Sequence, residues 1–84
     1  MSYQVILPKS VRRQLDRLPD DILNRLLQRL EELEENPRPR DVKKLKSREA
    51  WRIRLGDYRV IYEIHDQTLQ IILIRVGHRR EIYR

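Results

Sequence analysis

The change of period at Ala50 constrains this chain more than any other feature. Before it, apolar residues recur at helical spacing; after it, they alternate. Trp51, Ile53 and Leu55 alternate with Arg52 and Arg54, and Tyr58, Val60, Tyr62 and Ile64 alternate with Arg59, Ile61, Glu63 and His65. Only Gly56-Asp57 separates the two runs. Alternating runs joined by two residues, the first a glycine free to take positive φ, predict a β-hairpin. So short a loop leaves one consistent register. Leu55 then faces Tyr58, Arg54 faces Arg59, Ile53 faces Val60, Arg52 faces Ile61 and Trp51 faces Tyr62. Because side chains alternate faces along a strand, Trp51, Ile53, Leu55, Tyr58, Val60 and Tyr62 share one side. Arg52, Arg54 and Arg59 share the other.

The first half of the chain supplies a cover for the apolar side. Tyr3 to Leu7 is a short β-prone run that Pro8 ends. From Lys9 to Leu18, Val11, Leu15 and Leu18 form one helical stripe, closed by Pro19. Asp20 or Asp21 is placed to cap a second helix, whose apolar face is Ile22, Leu23, Leu26, Leu27, Leu30 and Leu33 and which Asn36-Pro37 stops. Residues 36–49 are a basic connection with two prolines, in which Val42 and Leu45 are candidate anchors to the core. After the hairpin, His65 to Thr68 reads as a turn. Leu69 to Val76 is almost wholly apolar, a pattern that predicts a central strand buried on both faces. Gly77 ends it. The expected class is α+β, ordered β-α-α-β-β-β. A small, antiparallel-rich, four-stranded sheet carries an N-terminal helical hairpin on one face and a short C-terminal tail or helix. Neither side of the basic connection is large enough to fold alone, so residues 1–84 are read as one domain.

Charge separates the halves as sharply as period does. The 19 Lys and Arg against 13 Asp and Glu give +6, but residues 1–37 carry −1 and residues 38–84 carry +7. Of the basic residues 15 are Arg, whose planar fork binds phosphate bidentately where Lys acts as a mobile point charge. The absence of cysteine rules out a disulfide framework, a thiolate zinc site and a thiol nucleophile, and a reducing cytoplasm is the expected location. Two glycines leave no room for a phosphate-cradling Gly-rich loop. No apolar run approaches the roughly 18 residues of a membrane helix, and Met1-Ser2-Tyr3-Gln4-Val5 lacks the pattern of a secretory leader. No membrane partner is expected.

The arginine side of the hairpin has a cost, since Arg54 and Arg59 are like charges set opposite one another with no anion between them. A solvated face that deters edge-to-edge pairing is one reading. Three arginines on one small face, preceded by Lys43, Lys44 and Lys46, favour a phosphate-binding surface. The tail, Gly77-His78-Arg79-Arg80-Glu81-Ile82-Tyr83-Arg84, adds cations and a tyrosine able to stack on a nucleobase. Lys43, Lys44, Lys46 and Arg80 are candidate RNA-binding residues. His65 and His78 lie too far apart in sequence to suggest a metal site, and Trp51 shares the core parity of Ile53 and Leu55.

The segment Trp51-Arg-Ile-Arg-Leu-Gly-Asp-Tyr-Arg-Val-Ile-Tyr-Glu-Ile, followed by Arg75-Val-Gly-His-Arg-Arg-Glu-Ile-Tyr83, resembles the RelE/ParE toxin superfamily. It is most similar to the RelE branch of type II toxin–antitoxin modules, and the resemblance spans essentially the whole chain. It implies a small cytoplasmic endoribonuclease that acts on mRNA in the ribosomal A site and inhibits translation. A cognate antitoxin would hold it inactive, and DNA would be reached only indirectly through that antitoxin. The implied reaction is attack of a ribose 2′-hydroxyl on the adjacent phosphorus, leaving a 2′,3′-cyclic phosphate and a free 5′-hydroxyl, with no cofactor and no metal.

Carried onto this chain, the family's strand pair falls on Arg52 and Arg54, its sheet arginine on Arg59, its basic residue after Val-Gly on Arg79 with His78 beside it, and its terminal aromatic on Tyr83. These six are the candidate catalytic residues. Arg52, Arg59 and Arg79 would clamp the phosphate, Tyr83 would orient a base, and Arg79 or His78 would protonate the leaving oxygen. One family pattern has lysines at one or both strand positions. Arg stays protonated where a crowded Lys can act as a base, so His78 becomes the expected base. Two alternatives share the fold: a ParE-like gyrase poison without RNase activity, and a degenerate toxin acting only within a repressor complex.

Overall fold

The computed structural model describes residues 2–46 and 48–82, with the backbone alone at Ile82. In chain order they form β1 (Gln4–Ile6), α1 (Lys9–Leu15), α2 (Asp20–Glu35), β2 (Lys43–Lys44), β3 (Trp51–Leu55), β4 (Tyr58–His65), β5 (Gln70–His78) and α3 (Arg79–Ile82). The strands make one sheet in the order β1-β5-β4-β3-β2. Only β1 and β5 are parallel; all other neighbours are antiparallel.

The hairpin forms in the expected register, residue for residue: Trp51, Arg52, Ile53, Arg54 and Leu55 pair with Tyr62, Ile61, Val60, Arg59 and Tyr58. Gly56 takes φ +60 at the turn, where a β-carbon would be strained. Along one face Ile53, Leu55, Val60, Tyr62, Ile71, Leu73 and Val76 join Val11, Leu15, Leu26, Leu30 and Leu33 of the helices in the main core. Val42 is buried with them, while Leu45 is not; it packs on the opposite face of the sheet against Ala50 and Ile61. The Tyr62 hydroxyl donates to the Pro37 carbonyl at 2.8 Å, tying the connection after α2 to the centre of the sheet. Arg38 then reaches Asp66 at 2.8 Å, Asp66 accepts from the Tyr3 hydroxyl, and the Arg38 guanidinium lies 5.6 Å from the Trp51 ring centroid.

Several expectations are corrected. The sheet has five strands, because Lys43-Lys44 of the basic connection pairs with Arg52 and Trp51 as an edge strand. The first helix stops at Leu15, short of Leu18, although Leu18 is still buried. Neither Asp20 nor Asp21 caps α2: Pro19 occupies the cap position without a side-chain bond, and both aspartates sit in the first turn facing the helix dipole. Leu69 belongs to the turn, with φ 54, and the strand runs from Gln70 to His78.

That last strand is flanked by β1 and β4, but it is not buried on both faces. Ile71, Leu73 and Val76 are buried, Ile72 and Ile74 are half-buried, and Arg75 is exposed. The reason is a β-bulge. Ile61 pairs with Arg75 and Tyr62 with Leu73, so Ile74 has no partner and the alternation slips by one. Strict alternation from Ile71 and Leu73 would send Arg75 into the core. The bulge turns it to the open face and puts Val76 inside.

Candidate nucleic-acid interface

The face of the sheet away from α1 and α2 is basic. Cross-strand partners point to the same side, so Lys43, Arg52, Ile61 and Arg75 form one row across β2, β3, β4 and β5. Arg54, Arg59 and Gly77 form the next row. On the side of the first row away from Arg54 lies a small apolar floor, in which Ala50 and Ile61 are buried against Leu45 and Ile74. Glu63, two residues beyond Ile61 on this face, holds His65 at 2.9 Å and Arg48 at 3.6 Å at one end.

The two members of the arginine pair differ in kind. Arg54 is exposed, whereas Arg59 is 5% exposed. Arg59 folds back over the turn, and its Nη1 donates to the carbonyls of Gly56 at 2.8 Å and Tyr58 at 3.0 Å. Its Nε is buried without a hydrogen-bond partner among the described residues. A buried N–H of a charged group left in that state favours an incoming anion.

The tail divides. Arg79 opens α3 and is exposed, and its backbone N–H donates to the Asp57 carbonyl at 2.8 Å, which places it at the turn end of the hairpin beside the Arg54–Arg59 row. Arg80 is exposed. His78 pairs with Tyr58, which belongs to the helix side of the sheet. Its ring meets Tyr58 edge-on, centroids 5.5 Å apart, in a cavity of about 130 Å³ lined also by Gln14, Arg17 and Leu18. His78 Nδ1 accepts the Arg80 backbone N–H at 3.2 Å, so the neutral ring carries its proton on Nε2. His78 is thus turned away from the arginines and caps α3. Lys44 pairs with Trp51, on the helix side, and its ammonium bonds Glu49 at 2.9 Å. Lys46 is exposed in the loop that Leu45 N–H to Ala50 carbonyl closes. Tyr83 lies outside the described residues.

Of the residues singled out in the sequence, the fold therefore gathers Lys43, Arg52, Arg54 and Arg59 on one face with Arg79 at its end, and separates His78 and Lys44 from them. Arg75 is the residue sequence reasoning missed. Its signal was present: an arginine at core parity in an apolar strand demands either a buried charge or a break in alternation.

The comparisons with known proteins agree with this architecture. Residues 5–83 match the family described as the ParE toxin of type II toxin–antitoxin system, parDE. The chain belongs to that family. Toxin RelG of Mycobacterium tuberculosis is 34% identical over 87 residues, covering 100% of this chain and 99% of that protein. The archaeal RelE–RelB complex from Pyrococcus horikoshii OT3 contains a chain that superimposes with a TM-score of 0.83 at 36% identity, over 94% of this chain and 97% of that one. The RelBE2 toxin–antitoxin complex of M. tuberculosis gives 0.80 at 30% identity, over 93% and 99%. The protein is a type II toxin of the RelE/ParE superfamily, and its relatives carry RelE-type names. Among the described residues no helix is long and apolar enough to cross a membrane.

Proposed function

We propose that this toxin is a cytoplasmic, ribosome-dependent endoribonuclease that cleaves mRNA in the A site and is neutralised by its own antitoxin. The observation that carries the reading is the open sheet face, where Lys43, Arg52 and Arg75 flank an apolar floor, and Arg54 and the half-bonded Arg59 form the next row. Guanidinium groups around an apolar patch suit a single strand, whose phosphates pair with the cations while a base lies on the floor. The antitoxin partner follows from relatives that form RelE–RelB and RelBE2 complexes.

In this reaction the 2′-oxygen bonds to phosphorus, the P–O5′ bond breaks, the 2′-proton passes to water and the 5′-oxygen takes a proton. Arg52 and Arg54 bind the phosphates on either side of the scissile group. Arg59, with its unpartnered Nε, neutralises the charge that grows on the pentacoordinate phosphorus. Arg79 hydrogen-bonds the leaving 5′-oxygen, which takes its proton from water, and Tyr83 stacks on the neighbouring base. Arginines do not release protons at neutral pH, so catalysis rests on alignment and charge stabilisation. His78 takes the helix-capping role that its Nδ1 contact gives it. Lys46 and Arg80 extend the basic surface.

The test is to add the purified chain to programmed ribosomes, with EDTA and without, and map the 5′ ends of the mRNA. Cuts confined to the A-site codon and indifferent to EDTA are expected. The ParE description of the matching family favours the second reading, a gyrase poison. Intact mRNA together with stalled replication in expressing cells would select it.

A further inference from the structure

Arg75 links the basic row of the sheet to the C-terminal helix. On β5 it stands in the row of Lys43 and Arg52, two strand spacings or about 10 Å from Arg52 across Ile61. Its Nη2 also donates to the Glu81 carbonyl of α3 at 2.9 Å. The helix is a single turn of four residues, far too short to persist alone, and its last carbonyls have no intrahelical donors. Its other described ties, Arg79 N–H to Asp57 and Arg80 N–H to His78, both hold its N-terminal end. Arg75 holds the far end, from which the chain runs on to Tyr83. A guanidinium is suited to this, because a cation at a helix C-terminus meets both the orphan carbonyls and the negative end of the dipole.

We infer that Arg75 is a positioning residue for the C-terminal segment: set on the open face by the bulge at Ile74, it seats α3 so that Arg79 reaches the RNA held by Arg52, Arg54 and Arg59. The seating is a statement about the protein alone; its effect on cleavage rests on the function proposed above. Bulges that re-aim a side chain beside a site are a recurrent device.

The test compares the full chain with Arg75→Gln and Arg75→Lys. In ¹⁵N-labelled protein, Arg75→Gln is expected to lower the heteronuclear NOE of residues 79–82 while the strands keep their chemical shifts. On programmed ribosomes its saturating cleavage rate falls by about 10²-fold, the size of a misplaced catalytic group, while the half-saturating concentration hardly moves. Arg75→Lys, which retains a cationic donor, restores part of both. Unchanged NOE values in Arg75→Gln overturn the inference. So does a loss that appears only in half-saturating concentration with a salt slope reduced by about 0.7, the mark of a direct phosphate contact. If the parent chain cleaves no RNA, the proposed function fails while the NOE comparison still decides the seating of α3.

Discussion

Arg54 and Arg59 are direct cross-strand partners, yet one guanidinium stands in solvent and the other lies buried against the carbonyls of Gly56 and Tyr58. The turn that sets them opposite one another also supplies the acceptors that draw Arg59 down. The pair thereby avoids presenting two parallel charges at the same height, and Arg59 retains an Nε–H with no protein acceptor among the described residues.

The two should therefore respond differently to truncation. Arg54→Ala is expected to leave stability unchanged or raise it by about 0.2–1 kcal/mol, through relief of like-charge contact. It should weaken RNA binding and lower the salt slope by about 0.7. Arg59→Ala should lose about 1–3 kcal/mol in urea denaturation. Inorganic phosphate should raise the thermal midpoint of the parent more than that of Arg59→Ala.

His78 offers a sharp contrast between a base and a cap. Removing a general base costs about 10²–10⁴-fold in rate. Glutamine keeps an acceptor for the Arg80 N–H, so His78→Gln is expected to cleave within about tenfold of the parent. A loss of about 10²-fold or more would restore His78 as the base.

Burial holds the Tyr62 phenol well above its ordinary pKa, since the ring is fully enclosed and its hydroxyl bonds the Pro37 carbonyl. A raised phenol pKa stabilises the fold below about pH 10, the unfolded value, and that contribution is lost as pH rises toward the native one. Tyr62→Phe should cost about 0.5–1.5 kcal/mol at pH 7. It should also flatten the alkaline limb of a stability-versus-pH curve measured by circular dichroism.

Asp66 works at the opposite end of the scale. The Arg38 guanidinium first, and the Tyr3 hydroxyl second, hold its carboxyl below the usual value. A depressed carboxylate pKa stabilises the fold above about pH 3.9, and the contribution is lost as pH falls through the native value. Asp66→Asn should lower the thermal midpoint at neutral and alkaline pH and flatten its fall in acid, where the parent loses the same contribution. Because the Arg38 and Asp66 side chains are exposed, 0.5 M salt should shrink the effect.

The opening pair and the bulge mark where sequence stopped being sufficient. Val11, Leu15, Leu26, Leu30 and Leu33 were readable as helix faces, because helical period is a local property of the chain. Lys43-Lys44 was not readable as a strand, since two residues carry no period and pair only because β3 offers an edge. The side of the sheet that His78 occupies was unreadable for a related reason. It depends on how many residues of β5 are matched against β4, which is a relation between strands.

The sequence by itself determined the helical hairpin, the β3–β4 register and the arginine face, because a two-residue turn with glycine at its first corner couples every side chain of two strands to one local geometry. Tertiary structure decided the rest of the site. One strand had to pair with β1 in parallel and β4 antiparallel while bringing Leu73 and Val76, three residues apart, into one core. Only an extra residue satisfies an odd spacing in a period of two. That residue, Ile74, turned Arg75 toward the arginines and His78 away from them.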